Sequence, residues 1–131
     1  MRKLILIVCF LCSTSWLCAG DLRNLIKEPP APRLLNPILE KVVLSGKVNL
    51  DFEWEISNIV AIDHCEFKLY KGYDMYAANL ILKEKIPSPQ AAIKISSGLF
   101  ENNQVYTWSV KQVNLAGQKS DPSFCSFKVI K

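Results

Sequence analysis

At 131 residues and 14.8 kDa, with half of its residues hydrophobic and 21% charged, the chain has room for one domain and one core, which excludes a multidomain enzyme. Formal net charge is +4, but Arg2 and Lys3 fall in a leader-like segment, and 14 basic against 12 acidic residues remain beyond it. That balance is no nucleic-acid footprint.

The first twenty residues read as a basic start at Met1, Arg2 and Lys3, an apolar stretch from Leu4 to Leu17, and small residues at Ala19 and Gly20. This is the pattern of a secretory signal peptide, with cleavage expected before Asp21. The apolar stretch contains Ser13, Thr14 and Ser15 and falls short of the roughly 20 apolar residues of a spanning helix, so no stable membrane span is expected after cleavage. A lipidated N-terminus is disfavoured because Trp16 and Leu17 precede Cys18, where small residues belong. Removing residues 1–20 takes Cys9, Cys12 and Cys18 with it and leaves Cys65 and Cys125, an even count for an oxidising, extracytoplasmic compartment. These two either form a single bridge or remain as separate buried thiols.

Residues 21–33 mix charge with Pro29, Pro30 and Pro32 and read as a proline-rich tether. Beyond them apolar residues recur at period two over short runs, and nothing sustains a helical period for three turns. The clear strand runs are Val48–Ile56, Cys65–Tyr70, Ile93–Ile95, Val105–Val113 and Cys125–Val129, with Leu34–Leu35, Lys41–Leu44 and Leu80–Ile86 as shorter candidates. Val48, Leu50, Phe52, Trp54 and Ile56 share one face of the clearest run, with Asn49, Asp51, Glu53 and Glu55 on the other. Turn chemistry separates the runs at Ser45-Gly46-Lys47, Lys71-Gly72-Tyr73-Asp74, Pro87-Ser88-Pro89, Ser97-Gly98 and Ala116-Gly117. About seven strands over residues 34–131 imply an all-β, two-sheet sandwich, with a five-strand barrel as the alternative.

The order of several short motifs resembles the fibronectin type III family, in the form found in bacterial secreted and cell-surface proteins. Pro32-Arg33-Leu34-Leu35-Asn36-Pro37 is similar to its first-strand motif, Phe52-Glu53-Trp54 to its second-strand F-x-W, and Phe100 with Tyr106-Thr107-Trp108-Ser109-Val110 to its L-x-x-x-x-x-Y-x-W-x-V run. The resemblance implies a seven-stranded, immunoglobulin-like sandwich. In it Trp54 and Trp108 come from opposite sheets and meet in the core, and the Tyr106 hydroxyl bonds to backbone across a corner. It also places Cys65 and Cys125 at the starts of two strands running in the same direction. A disulfide between them is expected on that basis, although an intervening strand would hold them about 9.6 Å apart, where a bridge tolerates roughly 7 Å.

Candidate chemistry is sparse. His64 is the only histidine and reads as a solvent-facing loop residue, with Asp63 its one acidic neighbour in sequence. Asp51, Glu53 and Glu55 read as a solvated row with Lys94 opposite, because carboxylates about 7 Å apart on an open strand gain neither burial nor perturbed acidity. The sequence shows neither a phosphate loop nor metal-ligand spacing, so no metal and no cofactor are expected. The run Tyr70-Lys71-Gly72-Tyr73-Asp74-Met75-Tyr76 carries three tyrosines and a methionine around a glycine turn. Tyr70 and Tyr73 are the candidate binding residues, and Tyr76 is expected to fill a core position. The functional expectation is a secreted or periplasmic, non-enzymatic binding or structural module of a cell-surface or envelope assembly, with a protein or glycan as partner. The alternatives are a small secreted effector or inhibitor of an envelope enzyme and, more remotely, a hydrolase built on the sandwich.

Overall fold

The computed structural model describes residues 28–131, so the leader expected over residues 1–20 and the first part of the tether lie outside the described residues. Eight strands form: β1 (Arg33–Asn36), β2 (Lys41–Val43), β3 (Asn49–Glu55), β4 (Ile62–Lys71), β5 (Leu80–Pro87), β6 (Ala92–Ser96), β7 (Val105–Asn114) and β8 (Ser123–Ile130). They make a three-stranded sheet in the order β1-β3-β6 and a five-stranded sheet in the order β2-β8-β7-β4-β5. The expected sandwich is what forms. The eighth strand arises at Pro37, which cannot donate to a ladder. Before it the chain pairs with β3 in one sheet, and after it with β8, in parallel, in the other.

Strand β3 alternates strictly, with Leu50, Phe52 and Trp54 buried and Asn49, Asp51, Glu53 and Glu55 exposed. Val48, expected on its core face, instead precedes the strand and is exposed. Aromatic rings fill the space between the sheets. Phe52 meets Phe67 at 5.2 Å and Trp108 at 5.1 Å, both edge-on, and Phe100 meets Tyr106 edge-on at 5.0 Å. Trp54 and Trp108 do come from opposite sheets, but the ring that links them is Phe67, 6.1 Å from each. Edge-on and offset pairs of this kind add about 0.5–1.5 kcal/mol each beyond the area they bury. The indole N–H of Trp108 donates to the Pro37 carbonyl at 3.1 Å, tying the sheet crossing to the core. Tyr106 accepts a 2.8 Å bond at its hydroxyl from the Glu101 amide, five residues upstream.

Strand β7, at the centre of the five-stranded sheet, is buried on both faces over most of its length. At its end Gln112 is fully buried and has its polar atoms matched. Its amide oxygen accepts from the Ser57 amide at 2.7 Å, and its amide nitrogen donates to the Pro30 carbonyl at 2.6 Å. Ser123 Oγ donates to the Pro32 carbonyl, and Pro29 and Pro32 are buried. The described end of the proline-rich segment is thus docked on the sandwich.

The expected disulfide does not form: Cys65 and Cys125 are both free. Register gives the reason. Cys65 stands opposite Gln112 and Cys125 opposite Trp108, on the two flanks of β7 and four residues apart along it. Two strand spacings of about 4.8 Å and four rises of about 3.4 Å set them roughly 16 Å apart, far beyond bridging reach. β8 begins opposite Val110, short of the end of β7, so the two cysteines do not share one end of the sandwich. Burial pushes both thiols above their ordinary pKa, and Cys65 is partly offset by the Trp54 indole, whose buried N–H has no other partner.

Candidate functional site

The outer face of the five-stranded sheet carries Tyr70, one of the two residues singled out as candidates for binding. Residues of β4 that alternate with Cys65, Phe67 and Leu69 point outward: Glu66, Lys68 and Tyr70. On β7 the corresponding positions are Thr107, Ser109 and Lys111, and Tyr70 pairs with Thr107, Lys68 with Ser109 and Glu66 with Lys111. On β5, Lys83 pairs with Lys68 and Lys85 with Glu66. On β8, Phe124 pairs with Ser109 and is 60% exposed. A cleft of about 240 Å³ opens on this face between Lys68, Tyr70, Met75, Ser109, Lys111 and Pro122.

Tyr70 and Tyr73 do not act together. Tyr70 is 7% exposed, with its ring laid on the sheet at a register shift between β4 and β5. Burial pushes its hydroxyl above the ordinary tyrosine pKa, and a bond to Ser109 partly offsets this, so it remains a neutral phenol at physiological pH. Tyr73 is 73% exposed and borders a separate hollow beside Glu40, Lys41 and Lys128. The turn that separates them has Gly72 at φ 93, in the left-handed region that disfavours other residues, and is pinned by its own amide to Val105 and by Thr107 Oγ1 to its carbonyl, both at 2.7 Å. Tyr76, expected in the core, is 69% exposed because a 3-10 turn at Ala77–Asn79 lifts it off the sandwich. Of the proposed aromatic surface, Tyr73 and Tyr76 are the solvent-facing members.

The charged groups of this face are unequal. Lys119 Nζ lies 2.9 Å from Glu66, whose side chain is only 13% exposed. That bond, chiefly, and the charges of Lys119, Lys68 and Lys83 hold the Glu66 carboxyl below the usual range despite its burial. On the other sheet the acidic row is exposed as expected, with Asp51 opposite Lys94, and Arg33 reaches Glu55 at 3.8 Å. His64 is on strand β4 rather than in a loop, its side chain 16% exposed and its Nδ1 bonded to Asp63 at 2.7 Å. Such a pair orients an imidazole but supplies no nucleophile. Among the described residues no group of three or more His, Cys, Asp or Glu side chains has metal-holding geometry. No described helix is long and apolar enough to cross a membrane.

Sequence reasoning missed Gln112 and the lysine face. Gln112 had a signal, because it continues the inward parity of Tyr106, Trp108 and Val110. The lysines of β4, β5 and β7 come together only through cross-strand register.

A two-sheet, mostly antiparallel sandwich whose chain crosses between sheets from β1 to β2, with a tyrosine bonded across the corner, defines an immunoglobulin-like β-sandwich. Solved structures narrow this to the fibronectin type III-like form. The chain is similar to a redesigned β-sandwich protein, with TM-score 0.56 and 14% identity over 81% of this chain and 97% of that one. It is similar to the FN1-FN3 domains of chicken CNTN1, with TM-score 0.57 and 14% identity over 79% of this chain and 33% of that one. A likeness to the α-L-rhamnosidase from Dictyoglumus thermophilum, with TM-score 0.51 and 16% identity, covers 79% of this chain but only 13% of that enzyme. No protein-family model matches the chain, and no curated protein matches it.

Proposed function

We propose that the chain is an exported, non-catalytic binding or structural module that works at a cell surface or envelope, with a protein or glycan as partner. The observation that carries this reading is the fibronectin type III-like sandwich, whose likeness extends to the FN1-FN3 domains of chicken CNTN1 and to a redesigned β-sandwich. A fold of this kind hosts many functions, so the site must supply the rest of the argument. The His64–Asp63 bond supplies no nucleophile, and Tyr73, Tyr76 and Phe124 stay exposed for contact while Phe52, Phe67, Phe100 and Trp108 fill the core. The leader-like residues 1–20 support export.

Fractionation of the source cells with intact-mass measurement tests the compartment: the protein should be extracytoplasmic and begin at or near Asp21. Capture of surface or envelope material on the immobilised mature chain, competed by free mature chain, tests the binding role. A hydrolytic activity lost on His64→Ala would sink the non-catalytic reading, and an uncleaved cytoplasmic protein would sink the export.

A further inference from the structure

Over residues 28–131 the charges nearly cancel, with 12 basic and 11 acidic side chains. Yet on the outer face of the five-stranded sheet five lysines, Lys68, Lys83, Lys85, Lys111 and Lys119, surround the single carboxylate of Glu66. Lys119 bonds Glu66 at 2.9 Å, and although Glu66 also stands opposite Lys85 and Lys111, one carboxylate among five lysines leaves this cluster with an excess of four positive charges. Lys68 and Lys83 stand directly opposite each other across β4 and β5. Like charges in that position destabilise a sheet. On its other face the same chain sets Asp51 against Lys94 and Arg33 against Glu55, so opposite-sign pairing is within its means. Lysines on the border strand β5 protect its unpaired edge, but Lys68 and Lys111 lie on the interior strands β4 and β7, where edge protection does not account for their charge and a partner does.

The chemistry of the face identifies that partner. Tyr70 and Ser109 line the cleft but are buried and hydrogen-bonded to each other, so the lysines are the groups left to meet a ligand. A neutral glycan would leave these ammonium charges without counter-charge, whereas carboxylates supply it, and the one carboxylate of the cleft is already engaged by Lys119. Phe124, 60% exposed, ends the transverse row that runs through Ser109 and Lys68 to Lys83. An exposed aromatic at the end of a row of cations, with Met75 and Pro122 on the cleft wall, suits a polypeptide that carries both carboxylates and an apolar side chain.

We propose that this face docks an extended acidic polypeptide segment, its carboxylates on Lys68, Lys83, Lys85 and Lys111 and an apolar side chain against Phe124. The inference rests on the binding-module reading and names its site and partner class. The probe is a short fluorescent peptide of glutamates interrupted by leucine, titrated into the mature chain at low and at physiological salt and read by anisotropy. Saturable binding should weaken as salt rises, because the contacts are exposed charges. Lys68→Glu should lower the affinity by about tenfold or more while raising the thermal midpoint, because it replaces a repulsion with an attraction to Lys83. Phe124→Ser should weaken binding without changing its salt dependence, whereas Lys47→Glu and Lys94→Glu, away from this face, should leave it unchanged.

A fall of stability and affinity together in Lys68→Glu would make the lysine part of the scaffold and overturn the proposal. So would the absence of saturable peptide binding, equal losses in the two control variants, or binding of heparin or phosphatidylserine vesicles in place of the peptide. If the peptide fails while competed capture of surface material succeeds, this face is the wrong one and the binding-module reading stands.

Discussion

Substituting Gln112 with methionine tests whether one end of the sandwich is held by a single buried amide. The side chains are similar in length and flexibility, so the core volume is kept, and what is lost is polar. Two bonds go: the one accepted from the Ser57 amide at 2.7 Å and the one donated to the Pro30 carbonyl at 2.6 Å. Each leaves a backbone group in a partly buried setting that water reaches only in part. The cost of such an orphan runs from about 1 to 3 kcal/mol, and partial access favours the low end, so the pair comes to about 2 kcal/mol. For a domain of this size that is a fall of roughly 10 °C in thermal midpoint. Urea unfolding followed by tryptophan fluorescence is the assay. The midpoint should drop with the slope unchanged, since the folded surface is the same. Hydrogen exchange should quicken at the Ser57 amide first, ahead of the centre of β7. An unaltered midpoint, or exchange that quickens everywhere equally, would refute the reasoning and make the clamp incidental.

Trp108→Ala removes the ring packed against both Phe52 and Phe67 together with the bond to Pro37 and should cost about 3–5 kcal/mol by denaturant titration; an unmoved midpoint would place the tryptophan outside the core. In protein purified and unfolded without reductant, both Cys65 and Cys125 should alkylate, and in the folded protein both should react slowly, since burial holds them as thiols; a cross-linked peptide pair in the digest would contradict the register given above. Because Lys119 holds the Glu66 carboxyl below its ordinary value of 4.5, the pair contributes stability that is full above that pH and lost as pH falls through the lower folded value. Lys119→Met should therefore flatten the acid limb of the stability profile below about pH 4.5, and an unchanged limb would mean the pair contributes nothing to folding.

The fold was legible in the sequence because the strands that face both core and solvent write their burial as alternation. β3 is the plainest case: every second residue from Leu50 to Trp54 is buried and every intervening one is charged or polar. The tyrosine corner was legible from the resemblance at Phe100 and Tyr106. Register was not. The disulfide expectation came from which end of a strand each cysteine occupies, and the outcome depends on where β8 starts against β7, which the turn between them decides. Tyr70 illustrates a second limit. Its parity places it outward, as read, but the β4–β5 connection and the bulge at Leu69 and Tyr70 turn that position into a buried one. The lysine face stayed hidden for the same reason: Lys68, Lys83 and Lys111 are far apart in the chain, and only hydrogen-bonded pairing makes them neighbours.

Strand β5 forms one border of the five-stranded sheet, with its far side unpaired. A border strand with free amides and carbonyls is a template on which another chain can add itself and begin an aggregate. Leu80, Ile81, Leu82 and Ile86 give this one the composition of such a template. Lys83, Glu84, Lys85 and Pro87 interrupt it, three by charge and one by lacking a donor. The two lysines therefore guard the monomer as well as crowd the outer face. Exchanging them for valine would relieve the repulsion at Lys68 and leave a nearly continuous apolar border, so the relieved protein would precipitate sooner on standing than the original.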